Sequence, residues 1–231
     1  SAIQELPVKY VWTHDAFRVG EDGPTHQPIE QEAQIRLMEK LKNHSGKNSF
    51  LALRPADSAE TSVAWKMALE NKNTPTGLIL SRQGIKDLPV QGTSRYQEAL
   101  AAEKGGYLVK EVENPDVVLI ANGSEVATLV AAAEILESKK GLKVNIASVI
   151  SEGLFKLQSK DYQNSVIPKN KPLFGLTAGL PINLEGLVGH NGKVFGLDHF
   201  GYSAPANVLD DKFGFTGEKV SKKILEYLKT I

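Results

Sequence analysis

"SFLALRPADSAETSVAWKMALENKNTPTGLIL", Ser49 to Leu80, holds a complete strand, helix and strand in order. Its opening run, Ser49 to Leu53 (SFLAL), is apolar and too short for a helix. Asp57 and Glu60 have capping-box spacing, which opens a helix at Ser58, and Val63, Ala64, Met67 and Ala68 fall on one helical face. Gly77 to Leu80 (GLIL) is a second short apolar run, ending at Ser81-Arg82-Gln83. Two apolar strands joined by an amphipathic helix make a βαβ unit, whose strands lie parallel.

The same rhythm extends both ways. Upstream, a strand is predicted over Val8 to Thr13 (VKYVWT), then a polar loop, then a helix starting at Pro28 with Ala33, Leu37, Met38 and Leu41 on its apolar face. Downstream, Gly84 to Gly106 carries Pro89, several glycines and no sustained period beyond a short alanine-rich stretch, which reads as a crossing between domains. The pattern resumes with a strand at Val117 to Ala121, a turn at Asn122-Gly123-Ser124, a helix from Glu125 to Ser138 stopped by Gly141, and a strand at Lys143 to Val149. Further strands are predicted at Pro172 to Thr177 and Val194 to Leu197, with a closing helix from Thr216 or Glu218 to Leu228. The expectation is an α/β protein with two open, mostly parallel sheets and helices on both faces: one domain over 1–92, a linker over 93–110 and a second domain over 111–231. There is no internal repeat and no low-complexity tract.

Bulk properties narrow the function. Basic and acidic side chains balance at 27 each, with no block of like charge, which argues against a nucleic acid or an anionic membrane as partner. No apolar run approaches the roughly 20 residues that span a bilayer, and no charged stretch and apolar core mark a signal peptide, so a cytoplasmic protein is expected. With no cysteine, disulfides, thiolate metal sites and a cysteine nucleophile are all excluded. The opening Ser1-Ala2, without methionine, suggests a cut from a longer protein or a cloning scar.

In open parallel sheets, ligands sit outside the carboxyl ends of the strands. His14 follows the first strand, Arg54 the second and Arg82 the third, while the loop after the first strand adds Asp22 and His26. Such an edge suits an anion that also carries hydroxyls, gripped by an arginine fork with Asp22 accepting from a hydroxyl, as in a phosphorylated sugar. Histidine titrates nearest neutrality, and His26, just before a helix start, is suited to moving a proton to and from a substrate oxygen. Plainer readings stand beside these. An ion pair within its own turn, near Asp57, accounts better for Arg54 than ligand contact does, and for Arg82 the two readings balance. His14, Asp22 and His26 form a candidate metal set without any tight ligand spacing, and Glu21-Asp22-Gly23-Pro24 alone is an ordinary turn. His44 reads as surface and His190 as a turn. Asn122 to Glu125 reads as tight strand-to-helix packing, and residues 196–216 as a packed Ω-type loop rather than a site.

Five segments, "THDAFRVGEDGPTHQPIE" (13–30), "LRPADSAETSVAWKMALE" (53–70), "LILSRQ" (78–83), "VVLIANGSEV" (117–126) and "GLDHFGYSAPA" (196–206), resemble the C-terminal part of transketolase in family order over nearly the whole chain. The resemblance implies the end of a pyrimidine-binding domain followed by the family's C-terminal domain. It implies transfer of a two-carbon ketol unit from a ketose phosphate to an aldose phosphate, a step of the pentose phosphate pathway. It further implies thiamine diphosphate and a divalent metal (Mg or Ca) in an intact homodimer, and contact of His14 and Arg82 with the substrate phosphate, Asp22 with a sugar hydroxyl and His26 with the reacting end. The family's cofactor and metal ligands would lie upstream of Ser1, so the chain is expected to hold the sugar-phosphate side alone, to be inactive by itself, and to leave apolar strand surface for the missing part or a second subunit to cover. Ala16-Phe17-Arg18 departs from the family's Ser-Ile-small pattern, which either retunes the pocket or repacks the loop. Two alternatives remain: another thiamine-diphosphate enzyme, such as the β-type half of an oxoacid dehydrogenase, and a non-catalytic dimerisation module.

Overall fold

The computed structural model describes residues 1–231. The Ser49 to Leu80 segment folds as its pattern requires: β2 (Leu51–Leu53), α2 (Ser58–Glu70) and β3 (Thr76–Ile79), after β1 (Lys9–Trp12) and α1 (Gln31–Lys40). Asp57 caps α2 by accepting from the Glu60 amide at 2.8 Å, and Val63, Ala64, Met67 and Ala68 are buried. The three strands order as β1-β3-β2, all parallel, with β3 central and wholly buried.

A second sheet follows. After α3 (Arg95–Ala99) come β4 (Tyr107–Lys110), β5 (Val117–Ala121), α4 (Glu125–Lys140), β6 (Val144–Ser148), α5 (Glu152–Phe155), α6 (Lys160–Val166), β7 (Leu173–Leu176), α7 (Ile182–Val188), β8 (Lys193–Phe195), α8 (Ala206–Phe213) and α9 (Gly217–Leu228). Its order is β4-β6-β5-β7-β8, parallel throughout except for β4, which runs antiparallel to β6. Gly141 ends α4 with φ +66°, a left-handed cap that a side chain adopts only with strain. One apolar core runs through both sheets, joining Leu53, Val63 and Leu78 to Leu119, Val126 and Phe174.

Three expectations change. The stretch read as a linker over 93–110 contains α3 and β4. A helix of only 5 residues is too short to show a period, and its Arg95 buries itself against Asp57 at 2.6 Å. Within 196–216, the stretch read as a loop, residues 206–213 form α8. The largest change is in α1, which starts at Gln31 rather than Pro28 and turns its charged face inward. Glu32, Arg36 and Glu39 are buried, while Leu37 and Leu41 are 60% and 58% exposed. The cause lies across the interface, where α1 meets hydrogen-bond donors: Glu39 Oε1 accepts from the Ala52 amide at 3.1 Å and from Ser151 Oγ at 2.6 Å. Arg36 neutralises Glu32 at 2.8 Å and Glu39 at 3.3 Å.

The β1 edge leaves apolar surface open, as expected. Tyr10, Val11 and Trp12 are partly exposed, and Tyr10 stacks on Trp12 with centroids 5.7 Å apart. Gly77 makes room for that surface, since a Cβ there would lie 2.5 Å from the Trp12 ring.

The inverted helix gives a direct contrast. Glu39→Ala strands two buried donors and Arg36, and is expected to cost about 3 kcal/mol or more. Leu37→Glu is expected to stay within about 0.5 kcal/mol of the unaltered chain, as an exposed substitution does. Urea unfolding of both variants checks the pair.

Candidate functional site

The parallel register fixes where the first site residues emerge. Trp12 lies opposite Ile79, and the Leu80 amide donates to the Trp12 carbonyl at 2.7 Å. His14 and Arg82 therefore leave neighbouring strands, about 4.8 Å apart, at the same sheet edge. His14 is half-buried, with Nδ1 3.0 Å from Thr13 Oγ1. Arg82 is exposed, whereas the other four arginines (Arg18, Arg36, Arg54 and Arg95) are buried in ion pairs. It is the one arginine outside these ion pairs.

Asp22 sits exposed in the turn between Gly20 and Gly23, both at positive φ. His26 ends a short 3-10 turn, Pro24–His26, and is exposed, with Nδ1 3.2 Å from Thr25 Oγ1. His14 and His26 line two adjoining depressions that share Pro28 and Gln31. The first, of about 220 Å³, also takes in Trp12, Asp15 and Ile79. The second, of about 870 Å³, is walled by His26, Glu30, His199, Phe200 and Tyr202. Neither is lined by Asp22 or Arg82. The structure thus brings His14 and Arg82 to one edge and sets the His14 and His26 depressions side by side, without enclosing all four residues in a single cavity. Three or more metal-ligating side chains gather nowhere, and His14, Asp22 and His26 do not form such a group.

His199, Phe200 and Tyr202 are what the sequence reading passed over. They lie in the segment read as a packed loop, yet Phe200 and Tyr202 are 72% and 63% exposed and face the His26 turn. Gln27, directly after His26, holds that juxtaposition. Its buried Nε2 donates to the Gly20 carbonyl at 2.9 Å and to the Tyr202 carbonyl at 2.7 Å. Ser203 Oγ adds a bond to the Glu21 carbonyl at 2.6 Å. A usable signal was Gly201, where any side chain would occupy the place of the Gln27 amide.

Arg54 does not pair with Asp57, and it does not reach solvent. It is fully buried between the sheets, with Nη2 2.8 Å from Asp15 Oδ2 and Nη1 2.5 Å from Glu125 Oε2 and 2.7 Å from Asn122 Oδ1. The turn glycine of Asn122-Gly123-Ser124 serves this guanidinium: Gly123 has φ +58°, and a Cβ there would lie 2.6 Å from Arg54 Cζ. The departures at Phe17 and Arg18 repack the loop. Phe17 is buried edge-on against Phe213 and Phe215, and Arg18 reaches Glu125 at 2.5 Å and Asp210 at 2.7 Å. Burial alone would lower the Arg54 pKa, but Glu125, Asp15 and Glu32 hold it well above the guanidinium range. Burial would raise Glu125, and the two arginines outweigh it and draw it below the usual carboxylate value. Burial pushes Asp210 up, more than Arg18 offsets.

Residues 1–86 match the family model described as transketolase, pyrimidine binding domain, and residues 105–216 the model described as transketolase-like TK C-terminal domain. The chain is 39% identical over 228 residues to the transketolase of Aquifex aeolicus, covering 98% of this chain and 31% of that protein. It is 42% identical over 224 residues to the chloroplastic transketolase of Craterostigma plantagineum, covering 95% of this chain and 40% of that protein. The solved transketolase from Leishmania mexicana superposes with a TM-score of 0.85 at 38% identity, over 99% of this chain and 31% of that one. The chain spans about a third of the length of most of the relatives it matches.

Because the folded state lowers the Glu125 pKa, its stabilisation is present above the ordinary value of 4.5 and is lost as pH falls through the folded value. Glu125→Gln is expected to cost about 3–5 kcal/mol at pH 7, since it leaves two buried arginines short of a partner. The gap to the unaltered chain should narrow as the pH drops below 4.5. Denaturant midpoints of both proteins between pH 7 and 3 measure it.

Proposed function

Because the chain belongs to the transketolase family, carrying its pyrimidine-binding and C-terminal domains, we propose that it supplies the sugar-phosphate side of a ketol-transfer site. In this reading the protein to which the chain contributes moves a two-carbon ketol unit from a ketose phosphate to an aldose phosphate, in the cytoplasm and within the pentose phosphate pathway. Arg82 and His14 hold the substrate phosphate, the guanidinium through its planar pair of donors and the imidazole through its free nitrogen. Asp22 accepts from a sugar hydroxyl, which fixes the orientation of the chain of carbons. His26 lies toward the reacting end and carries a proton to and from the substrate oxygen there. The observation that carries the proposal is the distribution of the arginines: all are buried in ion pairs except the one at the strand edge beside His14.

Thiamine diphosphate supplies the carbanion-stabilising chemistry of this family. The residues that line the two depressions do not fit its diphosphate. The depressions at His14 and His26 contain no lysine or arginine for a diphosphate and are lined by the carboxylates of Asp15, Glu32 and Glu30. The side chains that would hold a divalent metal are likewise not assembled. We assign the grip on its diphosphate, with Mg or Ca, to a part of the protein other than these residues. The open apolar surface at Tyr10, Val11 and Trp12 supports the partner assignment, in which the remaining chain and a second subunit of a homodimer cover it. We place the division between the two domains within the stretch 93–110, ahead of β4.

The 231-residue chain mixed with thiamine diphosphate, Mg and sugar phosphates is expected to give no turnover, and measurable ketol transfer would reject the proposed division of labour. In the assembled enzyme His26→Ala should lower kcat about 10²- to 10⁴-fold. Unchanged catalysis would favour a purely dimerising role. Preference for 2-oxo acids over sugar phosphates in competition would instead indicate an oxoacid dehydrogenase.

A further inference from the structure

We infer that Asp15 is the positioning residue of this site: through one carboxylate oxygen it ties together the carboxyl ends of all three strands of the first sheet and so sets the separation of His14 and Arg82. The inference rests on the reading of those two residues as the phosphate grip.

Asp15 Oδ2 accepts from Arg54 Nη2 at 2.8 Å and from Ser81 Oγ at 3.0 Å. Asp15 leaves β1, Arg54 directly follows β2 and Ser81 leaves β3, so each strand sends one residue to the same oxygen. The placement along the chain is what matters. Asp15 is the residue after His14, and Ser81 is the residue before Arg82, so the Asp15–Ser81 bond is one residue from each member of the grip. Backbone pairing between the two strands reaches as far as the Leu80 amide on the Trp12 carbonyl. Beyond that point the side-chain tie takes over from the ladder. Arg54 in turn is anchored on Asn122 and Glu125, where β5 turns into α4, which makes the clamp part of the interface rather than of a free loop.

Two side chains that must bind one phosphate together gain from a fixed separation, because the ordering cost is met on folding instead of on binding. Asp15 Oδ1 is buried without a hydrogen-bond partner, so the tie runs entirely through Oδ2. Ser81 is the milder point at which to cut it, since it is half-buried while Asp15 is wholly enclosed.

The experiment uses the 231-residue chain, titrated with ribose 5-phosphate, inorganic phosphate and unphosphorylated ribose while the histidine ring resonances are followed by NMR. Ser81→Ala is expected to weaken both phosphate-bearing ligands about tenfold, the lower end of what loss of an outer partner of a ligating group costs. Ser81→Thr, which keeps the hydroxyl, should restore the affinity. Amide exchange of residues 14–16 and 81–83 should quicken together in Ser81→Ala and return to normal in Ser81→Thr. If Arg82→Ala and His14→Ala weaken phosphate binding but Ser81→Ala does not, or if Ser81→Thr fails to restore it, the positioning role of Asp15 is overturned and the grip stands. If Arg82→Ala and His14→Ala leave phosphate binding unchanged, or the unaltered chain binds none, the grip and the inference fall together.

Discussion

The guanidinium of Arg54, enclosed between Asp15 and Glu125, is the contact on which the arrangement of the two sheets depends. A buried charge of this kind tolerates no vacancy among its partners, because removing one leaves the others desolvated and uncompensated. The surrounding sequence is shaped to it. Gly123 keeps its φ of +58° and its missing side chain so that the planar group can lie against the turn that opens α4. Glu125, in the first turn of that helix, is shared with Arg18, so the loop after β1 and the end of β2 are drawn to the same helix terminus. Around this polar centre the apolar core continues without a break from one sheet to the other.

The site inherits its geometry from that centre. A ligand edge made of strand ends is only as well ordered as the loops that leave it, and here those loops are held by side chains from elsewhere in the molecule. Asp15 is pinned by Arg54, Gln27 by the Tyr202 carbonyl, and the Glu21 carbonyl by Ser203. The second sheet therefore contributes to the site without lining the His14 depression itself. It contributes through the 199–203 segment, which closes one side of the His26 depression. This division leaves fixed backbones and free side-chain tips at the candidate site.

Membership of the transketolase family gives the arrangement a context, and the structure adds detail to it. Phe17 and Arg18 depart from the family pattern but face away from the edge that carries His14 and Arg82, into the aromatic and acidic surroundings of α8 and α4. The change is therefore a matter of how the two sheets are joined. The partly exposed Tyr10 and Trp12, clustered with Phe50, are the opposite case: an apolar surface that the chain does not cover for itself.

What the sequence determined by itself is the set of elements whose causes are local. The Asp57–Glu60 spacing started α2, Gly141 stopped α4, and the alternation of short apolar runs with helical periods required parallel sheets, all through interactions within one or two turns. His14 and Arg82 were legible as strand-end residues for the same reason, since position after a strand is a local property. Which charges stay free, and which face of α1 is buried, only the tertiary structure decided. Arg54 meets Asp15 and Glu125 from 39 and 71 residues away, and Arg18 meets Glu125 from 107. Glu39 finds Ser151 across 112 residues, which turns an apparently amphipathic helix inside out. The stabilisation of a buried charge comes from whatever surrounds it in space, and no period or spacing along the chain records those surroundings.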